Sequence, residues 1–146
     1  MKHIDSWYKQ LTFVKDLAKA INRDRFVKII NMFDGRIKNP NLPLKWTFLS
    51  GHDLDMVPMY NDLNLSSSKC IEELYRKGQT SALNCEQFPQ FASSLIFELY
   101  TDGPNHTIKI RSNGKYMNLC NQKSTECIYE DWKKVVQANL ASDTLV

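Results

Sequence analysis

A histidine and an aspartate stand side by side in the run Ser50-Gly51-His52-Asp53. An imidazole and a carboxyl group beside a bound ligand can pass protons to it or take protons from it. The preceding residues, Leu44 to Leu49, are mostly aromatic or branched, and they predict a short strand buried in a sheet. His52 and Asp53 would then follow the carboxyl end of a strand, where open α/β sheets bind their ligands.

The same pair also has a structural interpretation. A short helix is predicted over Asp55 to Leu63, with Pro58 tolerated in its first turn. In that interpretation His52 caps or hydrogen-bonds a loop, and Asp53 caps the helix that follows. Histidine and aspartate fill such roles more often than catalytic ones, so the position of the pair does not decide between a site and a helix cap.

The residues before this pair predict helices. Apolar side chains recur at helical spacing from Trp7 to Ile21, and a second set from Phe26 to Phe33 runs into Gly35. We expect two helices that pack on each other. A loop follows at Asn39 to Pro43, because proline lacks an amide donor and restricts the residue before it.

The residues after the pair predict a hairpin and a closing helix. Asn113-Gly114 is the strongest short hairpin signal, since both residues tolerate positive φ, and Asp102 to Asn105 predicts a turn. Gly78 is a stop for a preceding helix. The elements expected here are a helix over Cys70–Lys77, strands over Ser94–Tyr100, Thr107–Arg111 and Lys115–Leu119, and a helix over Ile128–Leu140.

Composition narrows the class of protein. A chain of 146 residues that is 42% hydrophobic suits one domain with a single core. Its net charge of +3 comes from mixed charges without a basic run, so a nucleic-acid partner is not expected.

No apolar stretch approaches the ~18 residues of a membrane span. The segment Met1 to Trp7 carries Asp5 where a signal peptide would be apolar, so no signal peptide is expected in this chain.

Cysteines and sequons point to an oxidising compartment. The four cysteines contain no C-x-x-C pair, so a zinc ribbon is not expected, and they predict either two disulfides or reduced, buried thiols. Cys120 and Cys127 are the favoured pair, because turn-like residues lie between them, and Cys70 with Cys85 would be the other. Asn64 and Asn105 begin N-x-S/T sequons and are candidate glycosylation sites.

Two motifs in this sequence resemble motifs of one known family and occur in the same order. Leu49 to Asp53 resembles the strand and His-Asp motif of the histidine acid phosphatases, which are branch 2 of the histidine phosphatase superfamily. Pro89 to Tyr100 is similar to that family's downstream strand, with its Pro, aromatic, Ala-Ser and Glu-Leu positions. Cys120 and Cys127 before the last helix also look like the family's late cysteine pair. The similarity covers roughly residues 26 to 140.

The resemblance implies an activity and roles for two residues. Members of the family hydrolyse phosphomonoesters through a phosphohistidine, without a metal or other cofactor. His52 would contact the transferred phosphoryl group, and Asp53 would donate a proton to the leaving oxygen. An unperturbed aspartate, with a pKa near 3.9, is protonated mainly in acid, which suits an acidic compartment. The expected ligands are a small phosphomonoester or inorganic phosphate, and the expected location is secreted or lysosomal.

The sequence departs from the family in one large respect. The family's nucleophile lies in an Arg-His-Gly motif, yet none of the three histidines here precedes a glycine. Leu54 and Asp55 also stand where the family usually has hydroxyl residues after His-Asp. The chain would therefore be the C-terminal portion of the fold, with the missing N-terminal half as its partner. The alternative is a non-catalytic fragment or pseudo-phosphatase that acts as a binding or structural module.

These observations set the expected architecture. The chain is one domain over residues 1–146, with a helical cap segment at 1–38 and the sheet and terminal helix at 44–146. The fold class is α/β, as part of a three-layer histidine-phosphatase-like fold, or α+β if the chain folds by itself. Glu98 alternates out of the apolar strand face, and a solvated strand residue and a site residue remain equal interpretations of it. A metal-dependent phosphohydrolase is not expected, because three scattered histidines give too few ligands.

Overall fold

The computed structural model of the chain describes residues 15–63, 65–79, 85, 89–120 and 124–140. Helices and a small antiparallel sheet are segregated along this part of the chain, which is the α+β class. The elements in chain order are α1 (Lys15–Lys38), α2 (Asp53–Asp62), α3 (Ser68–Arg76), β1 (Leu95–Asp102), β2 (Asn105–Ser112), β3 (Lys115–Tyr116), β4 (Cys127–Ile128) and α4 (Tyr129–Leu140).

α1 is one continuous helix where the sequence predicted two. The helix runs through Asn22, which is fully buried and donates a hydrogen bond to Asp62 Oδ2 at 2.7 Å. It also runs past Gly35 and ends at Lys38, because the next residue, Asn39, precedes Pro40. The predicted stop at Gly35 is therefore wrong. The part of the first predicted helix before residue 15 lies outside the described residues.

The predicted strand at Leu44 to Leu49 is the clearest error of the sequence analysis. The structure assigns these residues to no helix or strand, and every one of them is exposed. The physical reason is that a strand of a parallel sheet needs neighbours, and no backbone hydrogen bond joins residues 44–50 to any other described residue. We refer to residues 44–49 as the apolar segment.

α2 and α3 follow the predicted helices with shifted ends. α2 begins two residues earlier than expected, at Asp53, and accommodates Pro58 inside the helix. α3 ends at Arg76, as Gly78 adopts a left-handed conformation with φ of 62°. The Gln79 N–H then donates to the Leu74 carbonyl at 2.9 Å, which satisfies a carbonyl that the helix leaves open.

The predicted hairpin is confirmed. β2 is the central strand: β1 pairs along one side of it, while β3 and β4 pair antiparallel with opposite ends of the other side. Asn113 and Gly114 form the β2–β3 turn with φ of 49° and 82°, as a type I′ turn requires, and Ser112 pairs with Lys115. β3 ends at Tyr116 rather than at the predicted Leu119.

The core lies between one face of the sheet and helices α1 and α4. Phe97 of β1 contacts Phe26 of α1 edge to face, with ring centroids 6.3 Å apart, and Trp132 of α4 at 6.2 Å. The predicted closing helix is confirmed as α4, which begins one residue later than expected, at Tyr129, and ends at Leu140. The buried members of this core are Phe26, Ile29, Ile30, Ile108, Ile110, Leu119, Cys127, Tyr129, Trp132 and Val136.

Two disulfides link segments that follow α3 and β3. Cys120–Cys127 joins the segment after β3 to β4, with the two Cα atoms 5.8 Å apart, and Cys70–Cys85 joins α3 to Cys85, at 5.9 Å. Both are the pairs expected from the sequence, and such bonds are compatible with a secreted protein. Asn105 is exposed at the hairpin tip, while Asn64 lies outside the described residues.

In the described part of the chain, no helix is long and apolar enough to cross a membrane.

Candidate functional site

His52 and Asp53 lie at the amino end of α2 rather than at the carboxyl end of a strand. His52 occupies the N-cap position with an extended backbone, and Asp53 is the first helical residue. Both residues are exposed. The structure thus places the pair on the surface, at the positive end of a helix dipole.

Asp55 fixes the backbone of His52. The Asp55 Oδ2 atom accepts a hydrogen bond from the His52 N–H at 2.8 Å, and the Asp55 N–H donates to the His52 carbonyl at 3.0 Å. Asp53 makes a more local contact, because its Oδ1 atom accepts from the N–H of Leu54 at 2.8 Å. The carboxylate that reaches the N-cap amide is therefore Asp55, three residues after His52, as in a capping box.

Gly51 lies against the carboxylate of Asp55. A Cβ atom added at Gly51 would lie 2.8 Å from Asp55 Oδ2, closer than carbon and oxygen can approach without a shift. Any side chain at this position would push the carboxylate away from the His52 amide. A glycine at position 51 therefore leaves room for the Asp55 carboxylate to reach the His52 N–H.

α1 anchors both ends of α2. Arg25 forms an ion pair with Asp55 near the amino end, and both side chains are one-third exposed. One turn earlier on α1, Asn22 donates to Asp62 at the other end of α2. Arg25 also donates to Asn22 Oδ1 at 3.4 Å, so the two anchors are linked. The backbone that carries His52 is consequently held by buried and partly buried contacts.

The arrangement can bind an anion and transfer a proton. The dipole of α2 favours phosphate and carboxylate groups at its amino end, although the N–H groups of His52, Leu54 and Asp55 already donate to protein oxygens there. An ionised carboxylate at Asp53 repels an anion, whereas a protonated carboxyl group there can donate a hydrogen bond to it. The negative charge of Asp55 is offset by Arg25.

The other histidines do not complete this site in the described residues. His106 belongs to β2, and its Nδ1 atom lies 3.1 Å from Thr101 Oγ1 on β1. His3 lies outside the described residues. In the ranges that the structure describes, no three histidine, cysteine, aspartate or glutamate side chains gather as metal ligands would.

Glu98 anchors a second polar cluster, on the outer face of the sheet. Its carboxylate accepts hydrogen bonds from Tyr100 OH at 2.9 Å and Tyr116 OH at 3.1 Å, and it forms an ion pair with Arg111. Partial burial raises the pKa of Glu98. The hydrogen bonds from Tyr100, Tyr116 and Arg111 outweigh this effect, so the pKa lies below its usual value. The Glu98 carboxylate thus links β1 to Arg111 on β2 and to Tyr116 on β3.

This cluster was not predicted from the sequence, although a signal was present. The Asn113-Gly114 turn fixes the pairing of Arg111 with Tyr116, and strand alternation puts both on the face opposite the core. Applying the register to β1 would have placed Glu98 beside them.

Searches against models of known protein families, against curated proteins and against solved structures each return no match. What the site does must therefore be inferred from its own residues.

Proposed function

We propose that the chain is the C-terminal part of a histidine-acid-phosphatase-like unit, in which His52 and Asp53 form one half of a phosphomonoester site. His52 contacts the phosphoryl group, and Asp53 protonates the leaving oxygen. The nucleophile comes from a second polypeptide segment that carries the Arg-His-Gly motif, because this sequence has none. Hydrolysis by the chain alone is not expected.

The observation that carries the proposal is the exposed His52–Asp53 pair at the amino end of α2. The helix dipole and the His52 side chain favour a phosphate there, and the contacts of Asp55 with His52 and Arg25 hold the backbone. An alkoxide is a poor leaving group, so a carboxylic acid beside it accelerates its departure by roughly a hundredfold or more.

Binding of inorganic phosphate and of vanadate tests the first half of the proposal. We expect His52→Gln to weaken binding by about tenfold or more, the loss of one charge-assisted hydrogen bond. The matched control is His106→Gln, which removes the imidazole of the β1–β2 hairpin and should leave binding unchanged. Titration calorimetry at about pH 5 measures both. Equal binding by all three proteins contradicts the assignment.

Hydrolysis of an aryl phosphate tests the second half. The chain should show no turnover alone, and turnover when an N-terminal half with Arg-His-Gly is supplied. Asp53→Asn should then lower the rate by about a hundredfold or more. Asp102→Asn, a change of another exposed aspartate, is its control. Turnover by the chain alone that survives Asp53→Asn would show that a different group does the chemistry.

The second candidate is a non-catalytic binding or structural module. It is favoured by the same missing motif, and by the pairing of Arg25 with Asp55, which draws a guanidinium near the site toward a protein carboxylate. This function predicts phosphate binding that depends on His52, with no turnover even after the N-terminal half is added. The two assays together separate the candidates.

A further inference from the structure

The carboxylate of Asp55 is itself an anion that the protein binds. Its Oδ2 atom accepts the His52 N–H at 2.8 Å, and its Oδ1 atom pairs with the guanidinium of Arg25. A backbone N–H at the amino end of a helix and an arginine side chain are groups that also hold phosphate in proteins. Asp55 therefore occupies donors that suit the oxygens of a phosphate group.

The space around this carboxylate is bounded by a glycine and is open to solvent. A Cβ atom added at Gly51 would lie 2.8 Å from Asp55 Oδ2 and 3.4 Å from Asp55 Cγ. Glycine lets the backbone approach a bound group closely, as it does in loops that bind phosphate. The side chains of Arg25 and Asp55 are each one-third exposed, so a dissolved anion can reach the same donors.

A phosphate group can take the place of the carboxylate. The guanidinium of arginine forms forked pairs with carboxylates and with phosphates alike, because its planar fork matches the geometry of both. Two oxygens of one phosphate can therefore bridge Arg25 and the His52 N–H as the two Asp55 oxygens do. Both anions cannot use these donors together, since like charges so close to each other repel.

We propose that Asp55 is an internal competitor of phosphate, which holds the Arg25 and His52 donors in the empty site and releases them when a phosphate group binds. The inference rests on the proposed function, because the His52–Asp53 pair lies at the same end of α2. It adds regulation to that site. The affinity for a phosphate group is then set by how readily Asp55 leaves its two partners.

Titration calorimetry with inorganic phosphate tests the competition. Asp55→Asn should bind phosphate about tenfold more tightly than the parent, because the donors no longer have to leave a charged partner. Asp55→Ser, a second neutral variant, should gain affinity in the same way. Asp55→Glu keeps the charge and should bind no more tightly than the parent. Far-UV circular dichroism shows whether each variant folds.

Asp131→Asn is the matched control for the loss of one negative charge. Asp131 is an exposed residue in the first turn of α4, so its replacement should leave phosphate affinity unchanged. The gain in Asp55→Asn should also depend on Arg25, and adding Arg25→Gln to that variant should remove it.

The outcomes separate this inference from the proposed function. The inference is overturned if neither neutral variant binds phosphate more tightly than the parent, if Asp55→Glu gains as much as they do, or if the gain survives Arg25→Gln. The assignment of His52 fails instead when His52→Gln binds phosphate as well as the parent does. If none of these proteins binds phosphate, both proposals are wrong.

Discussion

Asp55 determines where the His52 backbone lies. Its carboxylate accepts the His52 N–H and pairs with Arg25, while its own N–H donates to the His52 carbonyl. One side chain therefore joins the N-cap of α2 to α1. Its neighbour Asp53, which the sequence offered as the cap, keeps an exposed carboxylate that contacts only the adjacent amide among the hydrogen bonds described.

Replacing Asp55 with alanine should destabilise the fold by roughly 1–3 kcal/mol, the sum of a lost cap and a lost partner of Arg25. Urea unfolding followed by far-UV circular dichroism measures the change. Asp131→Ala is the control, because Asp131 is an exposed first-turn residue of α4 whose ion pair with Lys134 lies on the surface, where such pairs contribute little. An equal loss in both variants would show that the Asp55 contacts carry no particular weight.

The sequence could predict this site in part. It identified the His-Asp pair and a helix directly after it, since both depend on neighbours within a few residues. It did not identify Arg25 as the partner of Asp55, because the two are 30 residues apart and no periodicity links them. The continuity of α1 through Asn22 was not predicted for the same reason: the partner of Asn22, Asp62, is 40 residues away.

At the scale of elements, α1 and α4 are joined by a charged contact as well as by the core. Lys133 Nζ donates to both Asp34 oxygens, at 2.9 and 2.8 Å, and Tyr129 OH donates to Oδ1 at 2.9 Å. Burial raises the pKa of Asp34, but the hydrogen bonds from Lys133 and Tyr129 outweigh it, so the pKa lies below the usual value. The same burial and the Asp34 charge raise the pKa of Tyr129.

Replacing Lys133 with methionine should lower stability by about 1–3 kcal/mol at pH 7, where Asp34 is ionised. Because the folded pKa of Asp34 is below the unfolded value, its contribution is complete above the unfolded pKa, near 3.9, and is lost as pH falls through the folded pKa. The gap between the two proteins should therefore narrow in acid. Urea unfolding at about pH 7 and about pH 3 measures it.

Lys134→Met is the matched control for this change. Lys134 is the next residue on α4 and its side chain is 74% exposed, so its pair with Asp131 should add little stability at either pH. If Lys133→Met and Lys134→Met behave alike, or if the gap between Lys133→Met and the parent persists unchanged in acid, the contact does not join the helices as described.

Elements whose signals are local were predictable, and those that depend on distant partners were not. The hairpin was found because Asn113-Gly114 sets both the turn and the register. The strand at Leu44 to Leu49 was wrong because a β-rich composition shows that residues fit a sheet, and not whether a neighbouring strand exists. The closing helix was found through its apolar face, which meets the sheet.

At the scale of the molecule, each disulfide closes a short loop of the chain. Cys120 and Cys127 are seven residues apart and Cys70 and Cys85 are fifteen apart. Replacing either pair with alanine should lower the free energy of unfolding by roughly 2–3 kcal/mol, since the open chain regains conformational freedom. Thermal unfolding by calorimetry, with the oxidised parent as reference, measures both.

Treating the parent with a reductant supplies the control for this prediction. Reduction opens both bonds without changing any residue, so the fully reduced parent should be less stable than either double variant. A pair whose removal leaves the transition temperature unchanged would show that its loop is already held by other contacts.

The contact between α1 and α4 also bears on the order in which the chain folds. Asp34 and Lys133 are 99 residues apart, whereas the strands of each hairpin are joined by short turns. Closing a long loop costs more chain entropy than closing a short one, so we expect the hairpins to form before the two helices meet. Changes at Asp34 or Lys133 then act mainly by accelerating unfolding, whereas changes in the hairpin turns slow folding. We therefore expect the contact between α1 and α4 to affect the lifetime of the native state more than the hairpin turns do.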